Sequence, residues 1–333
     1  MPHIVHRTVS RTASLRVQKE GGGFLVRKVI GGVIDSCDPF LLLDHIGPVT
    51  YKPGEALGAP DHPHRGFETV TYVIQGGVKH EDSAGNKGEL RSGWVQWMRA
   101  GSGLVHSEMP TEDLIRDGGT WEGFQLWINL PSKDKMIPPS YKDIPPESIP
   151  VVEDPQGGAT VKVIAGECKG TKGAITTHSP ILFLDIHLKP GSSFTHEIPP
   201  SYNGFAYVWR GTGHLGHDFQ LAKTGTVGVL TQEGSVFLMK AEENEECNVL
   251  LVAGQPLDEP VVRYGPFVMT TDEEIQQAIE DYRNGKLGFV HQPDGASGGT
   301  PSADFSNQDV CAPLSAGPHS FGDTSNGTSG EHA

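Results

Sequence analysis

The sequence has 333 residues, 36% hydrophobic and 20% charged, with 43 glycines and 25 prolines, a composition that favours short strands and many turns over an all-helical chain. That length suits two domains of ordinary size. The formal net charge of −15, with no Lys/Arg cluster against it, argues against direct nucleic-acid binding, and no apolar run approaches the ~20 residues that span a bilayer.

Along the first half, "FLLLDHI" (40–46), "TVTYVIQGG" (69–77), "VQWMRAG" (95–101) and "GFQLWINL" (123–130) are short β-branched or aromatic runs bounded by Gly, Pro, Asn or Asp. This is the pattern of strands and turns. "PSKDKMIPPSYKDIPPESIP" (131–150) is polar and proline-punctuated, so a surface linker and a domain boundary near 135–150 are expected. Beyond it, strings of the first half recur in order. "LFLDIHL" (182–188) pairs with 40–46, aligning Leu43-Asp44 on Leu184-Asp185; "YVWRG" (207–211) pairs with "YVIQG" (72–76); "GSVFLMKA" (234–241) pairs with "GWVQWMRA" (93–100). The offsets of 141, 135 and 141 residues point to a duplicated domain of about 130 to 140 residues. The fold class expected is therefore all-β, two tandem sandwich or jelly-roll barrels over residues 1–135 and 151–290, joined by 136–150.

Near the end, Thr271 and Glu274 form a capping box, Ile275, Ala278, Ile279 and Tyr282 share a face, and Gly285 closes a helix expected to pack on a barrel. Residues 291–333 are mostly Gly, Ser, Thr, Pro, Asp and Asn and are expected to be a disordered tail. Cys37, Cys168, Cys247 and Cys311 lie far apart without a C-x-x-C pair, which favours neither a zinc finger nor a disulfide framework and fits a reducing compartment. The start, "MPHIVHRTVSRTASLRV", carries no long apolar run, so a soluble, unsecreted chain of cytoplasm or nucleus is expected, its sequon at Asn326 unused.

"DHPHRGFETVTYVIQGG" (61–77) sets His62 and His64 two apart around Pro63, so in an extended segment both project to one face. "AGSGLVHSEMP" (100–110) repeats that spacing with His106 and Glu108. Two such pairs on neighbouring strands converge four donors, and three neutral imidazoles with one carboxylate suit a divalent first-row metal, iron foremost, with manganese, copper, nickel and zinc sharing the preference. The alternative is a polar network at the barrel mouth. Aligned on the repeat, Glu197, Pro199, Cys247 and Val249 stand opposite the four donors, so the scaffold recurs without the ligands. Arg65 and Glu68 are candidates to orient a ligand imidazole, Glu68 because i+4 along a strand from His64 faces the same interior, or else to form a structural ion pair. His214, His217 and His80, beside Glu81 and Asp82, read as solvated turn residues.

"HPHRGFETVTYVIQGG", "HEDSAGNKGEL", "VQWMRAGSGLVHSEMP", "FQLWINLP" and "YGPFVMTTDEEIQQAIEDYRNGKLG" closely resemble the pirin family, two-domain members of the cupin superfamily, over about residues 5 to 290. The resemblance implies a bicupin that is a monomer, with iron (Fe2+/Fe3+) bound in the N-terminal barrel at the positions of His62, His64, His106 and Glu108. Gly101 stands where many cupins carry Pro, an arrangement that is itself pirin-like. The resemblance implies two functions: quercetin 2,3-dioxygenase activity, in which a flavonol and O2 meet at the metal and the heterocycle opens with release of carbon monoxide, or transcriptional co-regulation through a transcription-factor partner, gated by the iron oxidation state. The first needs a carboxylate base, Glu108 or secondarily Glu68, and apolar walls, for which Phe67, Trp97, Met98, Gln125 and Trp127 are the candidates.

Overall fold

The computed structural model describes residues 5–20 and 23–290; Cys311, Asn326 and the expected tail lie outside the described residues. The chain opens with β1 (His6–Arg7), β2 (Val9–Ser14), β3 (Gln18–Glu20), β4 (Phe24–Ile30) and β5 (Phe40–Tyr51). It continues through β6 (Ala59–His64), β7 (Phe67–Gln75), β8 (Gly77–Asp82), β9 (Lys87–Arg91), β10 (Val95–Arg99) and β11 (Leu104–Pro110). After the short helix α1 (Glu112–Asp117) come β12 (Gly119–Asn129) and β13 (Ser140–Ile144). The N-terminal barrel closes a seven-stranded sheet, in the order β13-β10-β7-β12-β5-β4-β3, over a four-stranded one, β6-β11-β8-β9.

The strand β7, Phe67–Gln75, shows why these segments read as near-continuous apolar runs. Phe67 to Val73 are all buried, because one face lines the barrel and the other packs on the second domain. Thr69 and Thr71 point to the barrel interior, while Val70 and Tyr72 join the core between the two barrels.

The second barrel is built from β14 (Val151–Glu153), β15 (Ala159–Ala165), β16 (Glu167–Cys168), β17 (Thr171–Lys172) and β18 (Ile181–Leu188). It is completed by β19 (Ser193–Glu197), β20 (Asn203–Leu215), β21 (Gln220–Lys223), β22 (Thr226–Leu230), β23 (Val236–Ala241) and β24 (Cys247–Gly254). Strands β25 (Val262–Tyr264) and β26 (Phe267–Met269) and the helix α2 (Asp272–Arg283) end the described chain. The order β20-β24-β18-β15 repeats β7-β12-β5-β4, so the fold is two cupin barrels, all-β as expected.

The repeat is real, but two of its three sequence pairings need correcting. Tyr72 and Tyr207 are equivalent; in register Tyr72 faces Phe124, which faces His45, and Tyr207 faces Leu250, which faces Asp185. Residue 185 therefore matches His45, one place off the string alignment. The segment 234–241 is β23, which runs beside β19 and the later half of β20 as β11 runs beside β6 and β8. It matches β11; the counterpart of β10 is β22. Strand-forming strings look alike, and only pairing tells them apart.

The expected boundaries also shift, because both ends of the chain cross over. Strands β1 and β2 pair with β23 and β22 of the second barrel, and the fully buried Arg7 guanidinium donates there to the carbonyls of Pro199, Pro200, Tyr202 and Gly234. Conversely, α2 packs Ile275, Ala278, Ile279 and Tyr282 against Val105, Phe267 and Met269, on the first barrel. Its Thr271–Glu274 capping box is formed as expected. Within the expected linker, Ser140–Ile144 pairs along β10 as the edge of the first sheet. Between the barrels the Tyr72 hydroxyl donates to the buried Asp185 (2.7 Å), and Tyr207 meets His45 at 2.9 Å, a pseudo-twofold exchange across the core.

Candidate metal centre

His62 and His64 sit on β6 and His106 and Glu108 on β11, antiparallel neighbours with His62 opposite His106. A bulge puts four residues of β6, Ala59 to His62, against three of β11, His106 to Glu108. The turn after His64 requires glycine: Gly66 has φ of 90°, and a Cβ there would lie 2.0 Å from the Val268 carbonyl oxygen.

The three histidines converge. Each offers a ring nitrogen within 4.8 Å of the others, with ring centroids 4.3 to 4.9 Å apart. His64 Nδ1 and both nitrogens of His106 are buried without a hydrogen-bond partner. An orphaned buried nitrogen costs about 1–3 kcal/mol, so three together mark a place for a cation. Burial, reinforced by the neighbouring imidazoles, pushes both rings well below the usual histidine range, so they are neutral and their lone pairs are free. His62 Nδ1 lies 2.8 Å from the Pro60 carbonyl, which can only accept, so Nδ1 donates there and Nε2 is the nitrogen left to meet a metal. The donor set fits a first-row transition metal.

Glu108 lies outside the group of three. Its Oε1 accepts from Thr71 Oγ1 (3.1 Å) and its Oε2 from Gln125 Nε2 (3.3 Å), which hold the carboxylate at the cavity wall. Thr71 and Gln125 belong to a polar row crossing the inner face of the large sheet, in which Lys28, Asp44, Gln125, Thr71, Gln96 and Asp143 stand opposite one another on six adjacent strands.

Beside the metal ligands opens a cavity of about 360 Å³, within the ~300–1,000 Å³ of small-molecule sites. Phe24, Ile46, Trp121 and Trp127 form apolar walls, and Glu20, Lys28, Asp44, Thr71, Gln125 and Glu108 the polar ones; the Phe124 ring packs instead on Tyr72, Tyr207 and Trp209 between the barrels. Of the expected lining residues, Gln125 and Trp127 face the cavity. Phe67 does not: it packs behind His64 (5.2 Å) and Trp127 (4.4 Å). Trp97, opposite Val70, turns to the core between the barrels, and Met98 packs with Ala100, Leu104 and Tyr141.

Glu68 also departs from expectation. The turn at Gly66 interrupts the strand alternation, so Glu68 faces away from Thr71 and the cavity. Burial pushes its carboxyl up to about 7, against a Trp97 hydrogen bond and Arg99. Proton uptake on folding follows between the ordinary carboxyl range and about 7, so wild-type stability falls as pH rises through that window. Glu68→Gln removes this slope; at pH 8 the variant is expected to gain on the order of 2 kcal/mol over wild type in urea unfolding. A variant less stable than wild type at pH 8 with an unchanged slope would contradict this.

His80 is not a solvated turn residue: it lies on β8 opposite Glu108, buried, bonded through Nε2 to Asp143 (2.9 Å) and stacked on Tyr141. His214 is half-buried on β20, and only His217 is exposed. Arg65 donates to Ser102 O and Asp281, tying the segment after His64 to α2. Sequence reasoning missed Asp44, Lys28, Thr71 and Trp121; the only local signal was an aspartate inside the apolar run "FLLLDHI". By strand register the second barrel sets His196, Ile198, Phe237 and Met239 where the first sets His62, His64, His106 and Glu108, replacing the earlier string-based equivalents. Phe237, Met239 and Ile198 fill that barrel's core.

Two cupin barrels, one with a metal-fitting histidine cluster beside a cavity and one with apolar side chains at three of the four matching positions, define a bicupin with a single candidate metal site among the described residues. The family model for pirin matches residues 23–128, and that for the pirin C-terminal cupin domain matches residues 183–288. The chain belongs to the pirin family. It is 44% identical over 284 residues to a pirin-like protein of Solanum lycopersicum, covering 85% of this chain and 94% of that one. Pirin of Homo sapiens is 41% identical over 290 residues, covering 85% and 94%. The crystal structure of quercetin 2,3-dioxygenase from Acinetobacter baumannii superposes with a TM-score of 0.79 at 38% identity, covering 86% of this chain and 99% of that one.

Proposed function

We propose that this chain is an iron-dependent dioxygenase that opens the heterocycle of flavonols such as quercetin with O2 and releases carbon monoxide. The observation that carries the reading is the set of neutral imidazoles with free lone pairs at the edge of an aromatic-walled cavity. The likeness to a solved quercetin 2,3-dioxygenase supports it. His62, His64 and His106 would hold the metal, with Glu108 as the fourth ligand, and the metal when bound supplies a route by which ground-state dioxygen meets a closed-shell substrate.

The chain's own groups do the rest. Trp121 and Trp127 clasp flat rings and exclude water, and Glu108, aimed by Thr71 and Gln125, takes the proton of the flavonol hydroxyl. The balance is one flavonol and one O2 in, one ring-opened ester and one CO out. Iron(II)-loaded protein mixed anaerobically with quercetin is expected to bleach the flavonol absorbance only when oxygen is admitted, with one CO evolved per flavonol consumed. Loaded protein that leaves quercetin intact would overturn the reading. It would favour a second one, a metal-responsive regulator that binds basic protein partners, for which the net charge of −15 speaks.

A further inference from the structure

The polar row across the barrel leaves one position open. Gln125 and Thr71 donate to Glu108, Gln96 donates to Asp143, and Lys28 pairs with Glu20 at 2.8 Å. Asp44, between Lys28 and Gln125, lines the cavity with its Oδ1 buried and without a hydrogen-bond partner. A buried acceptor left unpaired costs about 1–3 kcal/mol, which a donor bound in the cavity recovers.

The surroundings narrow what the donor is. The cavity that Asp44 lines has the rings of Trp121 and Trp127 in its walls, which take a flat aromatic body. Lys28 stands opposite Asp44 and already pairs with Glu20, and the indole walls suit a flat ring, so a hydroxyl carried on such a ring is the donor that fits both. We infer that Asp44 is a specificity-determining residue, accepting a hydrogen bond from a ring hydroxyl of a polyphenol bound in the cavity. Burial, partly offset by Lys28, raises its carboxyl to about 7, so both an acceptor and a proton-bearing form exist near neutrality.

The inference rests on the flavonol reading of the same cavity, and its test separates the two. Equilibrium binding to the iron(II)-loaded full chain is measured anaerobically, with quercetin and with analogues each lacking one ring hydroxyl. Wild type is expected to lose 10- to 100-fold in affinity for one analogue, the worth of a hydrogen bond to a charged group. Asp44→Leu is expected to bind quercetin and that analogue within about twofold of each other, with iron content unchanged. Asp44→Asn, which keeps shape and a neutral acceptor, is expected to fall between and guards against a folding defect. Wild-type discrimination retained in both variants, or absent in wild type, overturns the assignment of Asp44 alone. No flavonol binding by wild type overturns both readings.

Discussion

His106→Ala is expected to lose metal without losing the fold. Wild type reconstituted with iron(II) and desalted should hold about one ion per chain; the variant should hold less than about a tenth of that by elemental analysis, since loss of a direct ligand exceeds the ~10–100-fold cost of losing a group that merely orients one. The stability data should move the other way. Both nitrogens of His106 are buried and unpartnered, so the metal-free variant breaks no hydrogen bond and should match metal-free wild type or exceed it. Metal at 100 times its Kd stabilises wild type by about 2.7 kcal/mol, a rise of roughly 4 °C in Tm for a chain of this length, and the variant should show none. A polar network at the barrel mouth makes the opposite forecast: a destabilised variant whose metal content matches wild type. That outcome would remove the metal site.

Lys135→Met is expected to cause the largest loss of stability. The Lys135 ammonium is buried and donates to Asn129 Oδ1 (2.6 Å), Gly66 O (2.8 Å) and Val268 O (3.1 Å). Methionine keeps the volume and strands three acceptors, at about 1–3 kcal/mol each, less the relief of no longer burying a charge, so about 3–5 kcal/mol net is expected in chemical denaturation. Burial lowers the Lys135 pKa from 10.5 to about 8, opposed by Glu259 and Glu274. Between those values the unfolded chain binds more protons than the folded one, so wild-type stability rises with pH there and its margin over the variant should widen. The clamp also ties Gly66, two residues past His64, to the C-terminal segment through Val268, so metal affinity should fall about tenfold. A variant within about 1 kcal/mol of wild type would show the three bonds to be incidental.

Lys135 also marks the limit of local reading. In "PSKDKMIPP" it is one cation in a polar, proline-rich run, with nothing to distinguish it from a solvated linker lysine, and the fold encloses it completely. The histidines are the opposite case. Residues two apart on a strand share a face wherever the strand lies, so His62 and His64 were legible as a pair, and their meeting with His106 needed only that β6 and β11 be neighbours. Glu68 failed by the same logic, because the parity argument assumed an unbroken strand across Gly66. The exchange of chain ends had no local signature: β1 and β2 look like any polar strands, and α2 presents the same apolar face whichever barrel it covers.

The sequence by itself determined the strand and turn pattern, the doubling of the barrel, the capped helix and the three imidazoles, because each follows from side-chain spacing over a few residues. The tertiary structure decided which strands face which, and with that the cavity, the place of Asp44, the turning away of Glu68 and Trp97, and the burial of Lys135. Alternation along a strand is a local steric property, whereas the face that is covered, and by what, depends on contacts between segments hundreds of residues apart, such as Arg65 with Asp281.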